Sequence, residues 1–209
     1  MTIVNSIFTW IMKKRIHQIE LFMKYPHEVQ EEWFQNLIST ARHTEWGRKY
    51  DYSSIFTAEQ FKERVPIQDY DSLKPYIEKM MKGQQNVLWP SDVKWYAKSS
   101  GTTSDRSKFI PVTDESLEEC HYKGGKDLLS IYCNNRPDTQ MFTGKCLVLG
   151  GSAQINHLNN ESRYGDLSAV ILKNLPIWAE WYRTPDLSIT LLENFEEKIE
   201  KTARAIIDV

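Results

Sequence analysis

The sequence predicts an α/β fold, and three observations carry that expectation. Apolar residues recur at helical spacing over residues 3–24, 27–43 and 191–209. Two runs rich in β-formers, Val93–Ala97 and Phe109–Val112, flank a polar stretch. A further apolar run, Lys145–Ser152, ends on a glycine pair and reads as a buried strand.

Composition bounds the rest. A chain of 209 residues can bury a sizeable core in one or two domains, and its 41% hydrophobic content excludes a disordered chain. The net charge of −2, from 26 basic and 28 acidic residues, gives no support for a nucleic-acid or anionic-membrane surface. Cys120, Cys133 and Cys146 contain no C-x-x-C and form no disulfide framework, so the reading is a reducing, cytoplasmic compartment. Apolar positions precede Lys13, Lys14 and Arg15, the reverse of a secretory signal. No run approaches the ~20 apolar residues that cross a bilayer.

The first helix, residues 3–24, is expected to turn Ile3, Ile7, Trp10, Ile11, Ile16, Ile19 and Met23 toward the core, with Pro26 ending it. The second, residues 27–43, should turn in Val29, Trp33, Leu37 and Ile38, with Gly47 as a stop. Thr57-Ala58-Glu59-Gln60 is a capping box that opens a short helix, and Val65-Pro66 closes it. Asp71 or Asp69 caps the next helix, which runs to Lys82 with Gly83 at its C′ position. Strands are expected near Val87–Trp89 and Val93–Ala97. Thr113 caps a long helix over residues 114–134, with Leu117, Cys120, Leu128, Leu129 and Ile131 toward the inside. Residues 154–163 read as polar loop, and Ser168–Lys173 as helix or strand, with helix preferred. In the last helix Phe195, Ile199, Ala203 and Ile206 form the apolar face.

Between the two β-rich runs stands Ser99-Ser100-Gly101-Thr102-Thr103-Ser104-Asp105-Arg106-Ser107-Lys108, with six hydroxyls, one glycine and two cations. Hydroxyls and N–H groups donate to phosphate oxygens, glycine admits a ligand close to the backbone, and the cations add charge. The other reading is a solvated hairpin turn. The stretch lies between two strands and has one glycine, so it is neither G-x-x-x-x-G-K-[ST] nor G-x-G-x-x-G. The histidines lack H-x-x-x-H spacing, and no G-x-S-x-G elbow is present.

Ser99 to Thr102, then Lys108-Phe109-Ile110-Pro111, resembles the phosphate loop of the auxin-responsive acyl acid–amido synthetase family of plants and its bacterial relatives, within the acyl-adenylate-forming superfamily. The lysine stands one residue later than in most of that superfamily, and Ser104 replaces a glycine common among members. The approach to the loop is similar too: Phe61–Pro66, Tyr70, Leu73–Ile77, Gly83 and Asn86–Leu88. So, more loosely, are Gly150-Gly151-Ser152, Gly165–Ser168 and Leu175–Trp178; the resemblance runs from about Trp46 to the last residue.

The resemblance implies the N-terminal portion of the large domain of an adenylate-forming enzyme, a mixed sheet with flanking helices. Residues 1–45 would be a helical lead-in, and 46–209 an α/β segment carrying the loop. The small C-terminal domain and the later motifs of the family have no counterpart, so the chain reads as a fragment of a longer enzyme, inactive alone and prone to self-association. The implied reaction is ATP-dependent activation of a carboxylic acid as acyl-adenylate, with Mg²⁺, followed by transfer to an amine such as an amino acid. Ser99, Ser100, Gly101, Thr102, Thr103, Ser104 and Lys108 would hold the nucleotide phosphates, with Arg106 a weaker candidate. Alternatives are a thioester-forming relative using coenzyme A, or a non-catalytic nucleotide- or partner-binding module. Gly150 and Gly151 fit either a tight turn or a substrate-side role. Arg163-Tyr164-Gly165-Asp166 resembles in composition the family's ribose-holding Tyr-Arg-x-Gly-Asp, but the order differs and the position is early, so it is assigned to a loop.

Overall fold

The structure, a computed structural model, describes residues 3–99, 107–150, 155–158, 161–175 and 177–207. The chain opens with helices α1 (Ile3–Lys24), α2 (Pro26–Ala41) and α3 (Glu45–Lys49), a 3₁₀ turn (Tyr52–Ser54), α4 (Ala58–Arg64) and α5 (Tyr70–Met81). Strands β1 (Trp95–Lys98) and β2 (Phe109–Val112) form the antiparallel hairpin expected around the polar stretch. A π-helical segment (Ser116–Tyr122) runs into α6 (Lys123–Asn135). Then come β3 (Cys146–Leu147), β4 (Asn156–His157), β5 (Arg163–Asp166), α7 (Leu167–Lys173), α8 (Ile177–Glu180), β6 (Arg183–Thr184), α9 (Leu187–Thr190) and α10 (Phe195–Ile207).

The main sheet is mixed, in the order β2-β1-β5-β4. β1 lies antiparallel to β2 and parallel to β5, with Tyr96 opposite Pro111 and Tyr164. Side chains alternate across a strand, and here both faces of β1 are covered. Trp95 and Ala97 pack with Val112, Leu117 and Val170 on one side. Tyr96 packs with Ile77, Met80 and Val87 on the other. A third cluster, Ile38, Ala41, Trp46, Tyr52 and Ile55, joins α2 and α3 to the turn after them.

Local signals in the sequence are obeyed. Thr57 and Gln60 form the full capping box of α4. Asp69, not Asp71, caps α5 by accepting from the Ser72 N–H at 2.9 Å. Gly83 takes φ 92° after the helix, where a residue with a Cβ would be strained.

Several expectations are corrected. Gly47 does not stop a helix; it lies inside α3, where a Cβ would sit 2.1 Å from the Ala41 carbonyl oxygen. No strand forms at Val87–Trp89, because the Asn86 and Val87 carbonyls accept from the Glu45 and Trp46 N–H groups that open α3. Among the described residues of the Lys145–Ser152 run, the strand is limited to Cys146–Leu147, which pair with β6 in a separate two-stranded sheet and are exposed. The stretch read as loop before residue 164 contains β4, and Arg163–Asp166 is strand β5 beside β1.

The largest correction concerns which helical faces are buried. α1 packs on α6 and buries Asn5, Thr9, Met12 and Arg15, leaving Ile3, Ile7, Trp10, Ile11 and Met23 exposed. Asn5 and Arg15 are met by distant partners: Asn5 donates to the Thr139 carbonyl and accepts from the Phe142 N–H, and Arg15 donates to the Asp127 carboxylate. On α2, Ile38 is buried while Trp33 and Leu37 face out. Along the helix after β2, Leu117 is buried, but Cys120, Leu128 and Ile131 are exposed and Ser130 and Cys133 are buried instead. α10 buries Lys198 and Thr202 and exposes Phe195, Ile199 and Ile206. Among the described residues no helix is long and apolar enough to cross a membrane.

Candidate functional site

The hairpin places the polar stretch at the C-terminal end of β1, next to the C-terminal end of β5, where Lys98 lies opposite Asp166. Ligand sites of open α/β sheets gather at such strand ends. The ladder continues one step past the strands. The Ser99 N–H donates to the Lys108 carbonyl at 2.9 Å, and the Lys108 N–H donates to Ser99 Oγ at 3.1 Å. Ser99 and Lys108, nine positions apart in the chain, are thereby brought together at the neck of the loop. Ser99 Oγ accepts there, and a hydroxyl that accepts can still donate. Ser100, Gly101, Thr102, Thr103, Ser104 and Arg106 lie outside the described residues.

Beneath the neck stands the start of α5. The Phe109 N–H donates to Tyr70 Oη at 2.8 Å, and the Tyr70 hydroxyl lies 3.5 Å from the Phe109 carbonyl oxygen. Lys108 Nζ lies 5.6 Å from the centre of the Tyr70 ring, within cation–π range. The neighbouring Asp69 carboxyl is held below its usual range, first by the Ser72 hydroxyl and N–H, with the Lys108 charge contributing. The residue-type reading missed Tyr70 as a site residue; its place in the approach to the loop was the only signal.

Gly150 is required by packing: a Cβ there would lie 2.7 Å from Thr190 Cγ2 and 3.1 Å from Leu172 Cδ1. Lys198 Nζ lies 3.4 Å from its carbonyl oxygen. Gly151 lies outside the described residues. Two cavities sit at the opposite end of the hairpin from the loop. One, of about 550 Å³, is bordered by Asn86, Lys94, Trp95, His157 and Arg163. The other, of about 850 Å³, lies between α1, α2 and α6, with Phe22, Trp33, Leu37, Glu119 and Lys123 in its wall. Among the described residues no group of three or more His, Cys, Asp or Glu side chains converges. The neck carries the Ser99 hydroxyl and the Lys108 ammonium, groups of the kind that donate to anions, while its backbone N–H groups are used within the hairpin and by Tyr70.

The mixed sheet with flanking helices is a fold shared with an acyl acid amido synthetase. The solved GH3.15 acyl acid amido synthetase superposes with a TM-score of 0.76 at 18% identity, over 91% of this chain and 33% of that one. The chain belongs to the GH3 family: the model of the GH3 family N-terminal domain matches residues 15–208. Curated relatives include indole-3-acetic acid-amido synthetase GH3.2 of Arabidopsis thaliana, 27% identical over 106 residues, which are 50% of this chain and 19% of that protein. Jasmonoyl-L-amino acid synthetase JAR6 of Nicotiana attenuata is 29% identical over 107 residues, 51% of this chain and 18% of the relative. The match thus spans about a fifth of the curated relatives' length.

Proposed function

We propose that this chain supplies the phosphate-binding wall of an ATP-dependent acyl acid amido synthetase. In that reaction a carboxylate oxygen attacks the α-phosphorus of ATP and pyrophosphate leaves. An amine, such as that of an amino acid, then attacks the acyl carbon of the adenylate, forming the amide and releasing AMP. The observation that carries the reading is the closed neck of the loop, with Ser99 and Lys108 clamped together at the strand ends inside a GH3 N-terminal domain. The similarity to an indole-3-acetic acid-amido synthetase and to a jasmonoyl-L-amino acid synthetase supports it.

In this reading Ser99, Ser100, Thr102, Thr103 and Ser104 donate to phosphate oxygens, Gly101 admits the phosphates close to the backbone, and Lys108 adds charge. Mg²⁺ carried by the nucleotide supplies further neutralisation of the phosphates. The acid and amine enter from solution, and the setting is the cytoplasm. The chain covers 33% of the solved neighbour, so the reaction is assigned to the enzyme of which such a chain forms the N-terminal part.

The test is pyrophosphate exchange by the complete enzyme across a panel of carboxylic acids. A lost charge-assisted contact costs roughly 1.5–3 kcal/mol, so Lys108→Ala should lower exchange about ten- to hundredfold. Unchanged exchange by a folded Lys108→Ala enzyme removes the loop from the site.

A further inference from the structure

We propose that Tyr70 is a positioning residue for Lys108: its phenol pins the edge strand at Phe109, and its ring face sets where the Lys108 ammonium stands. The inference rests on the phosphate-loop reading above and adds to it a residue outside the loop.

β2 is an edge strand of the sheet, and Phe109 stands opposite Lys98 on β1. An edge strand presents unpaired N–H and C=O groups. At Phe109 both are met by one hydroxyl, Tyr70 Oη, which accepts from the N–H at 2.8 Å and points its own hydrogen at the carbonyl 3.5 Å away. The tyrosine thus does at one position what a further strand would do, and it does so at the residue that follows Lys108. Its ring also lies 5.6 Å from Lys108 Nζ. One side chain therefore touches the lysine twice, through the backbone of the next residue and through the ammonium.

Tyr70 is itself held. It is the first residue of α5, whose N-cap Asp69 bonds the Ser72 N–H at 2.9 Å and the Ser72 hydroxyl at 2.6 Å. It also packs against the cluster of Ile77, Met80, Val87 and Tyr96 that supports β1. A long, flexible lysine loses rotamer entropy when a phosphate fixes it. A ring face beneath the ammonium and a pinned strand behind it remove part of that loss before the ligand arrives.

The test is calorimetric binding of Mg·ATP, and separately of adenosine, to the complete enzyme. Tyr70→Phe keeps the ring and removes the bonds to Phe109; Tyr70→Leu removes both. Mg·ATP affinity is expected to fall about threefold for Tyr70→Phe and about tenfold for Tyr70→Leu, with adenosine affinity unchanged. In a Lys108→Ala background, Tyr70→Leu should add less than about twofold, because both changes remove one interaction. Wild-type ATP affinity in Tyr70→Leu, beside a weakened Lys108→Ala, overturns the inference and leaves the loop reading standing. Fully additive losses in the double variant overturn it as well, since Tyr70 then acts apart from Lys108. Wild-type affinity in Lys108→Ala overturns both. If Tyr70→Leu does not fold, Tyr70→Phe with and without Lys108→Ala decides by the same comparison.

Discussion

Arg15 on α1 and Asp127 on α6 make a two-point ion pair across the helix interface, Nε to Oδ1 at 2.5 Å and Nη2 to Oδ2 at 3.0 Å. Arg15 is only 7% exposed. Hydrogen bonds donated to the Asp127 carboxylate, and its charge, outweigh burial and raise the guanidinium's affinity for its proton. Asp127→Ala leaves a buried cation without this partner, and a loss of about 2–3 kcal/mol is expected. Urea denaturation of the variant measures it; a loss under about 0.5 kcal/mol would mean the helices are held by apolar packing alone.

Trp10, by contrast, is 58% exposed, with Lys14 Nζ 3.5 Å above its ring. The sequence placed it inward, where a charge would be ruinous. The structure predicts that Trp10→Glu shifts stability by less than about 1 kcal/mol. A thermal melt that collapses on this substitution would return the tryptophan to a buried interface.

Tyr96 is fully buried and its hydroxyl has no hydrogen-bond partner among the described residues. Burial pushes its phenol from 10.0 up to about 12. The folded state therefore holds this proton more tightly than the unfolded chain does. The stability it contributes is full below about pH 10 and is lost as pH rises toward about 12. Tyr96→Phe should be neutral or stabilising by about 1 kcal/mol at pH 7, and should flatten the alkaline loss. Parallel denaturation curves at pH 7 and above pH 10 read both effects.

Two glycines should respond in opposite senses. At Gly47 a Cβ meets the Ala41 carbonyl oxygen at 2.1 Å, so Gly47→Ala should cost about 1–3 kcal/mol. At Gly125, inside α6, a Cβ meets nothing within 4 Å, so Gly125→Ala should stabilise by about 0.5–1 kcal/mol. Equal effects, read from denaturation midpoints of the two variants, would contradict the packing at both positions.

Features written over a few neighbouring residues were legible in the sequence. The Thr57–Gln60 capping box, the Asp69 cap, the turn at Gly83 and the hairpin around Ser99–Lys108 each depend on spacing that short-range sterics and hydrogen bonding enforce. The family resemblance rode on the same local pattern. The two ends of the polar stretch, Ser99 and Lys108, are also legible, and the structure brings them into contact.

Which faces are buried was decided only by the tertiary structure. An apolar stripe says that a helix prefers one side, but α1 turns in Asn5 and Arg15 because Thr139, Phe142 and Asp127 wait on the far side of the chain. A buried polar group is tolerated once its partners are in place, and nothing within a helical turn of Asn5 announces partners 134 and 137 residues away. Likewise Arg163–Asp166 becomes a strand because β1 offers it a parallel ladder. Tyr70 joins the loop because folding carries the start of α5 to Phe109, 39 residues on.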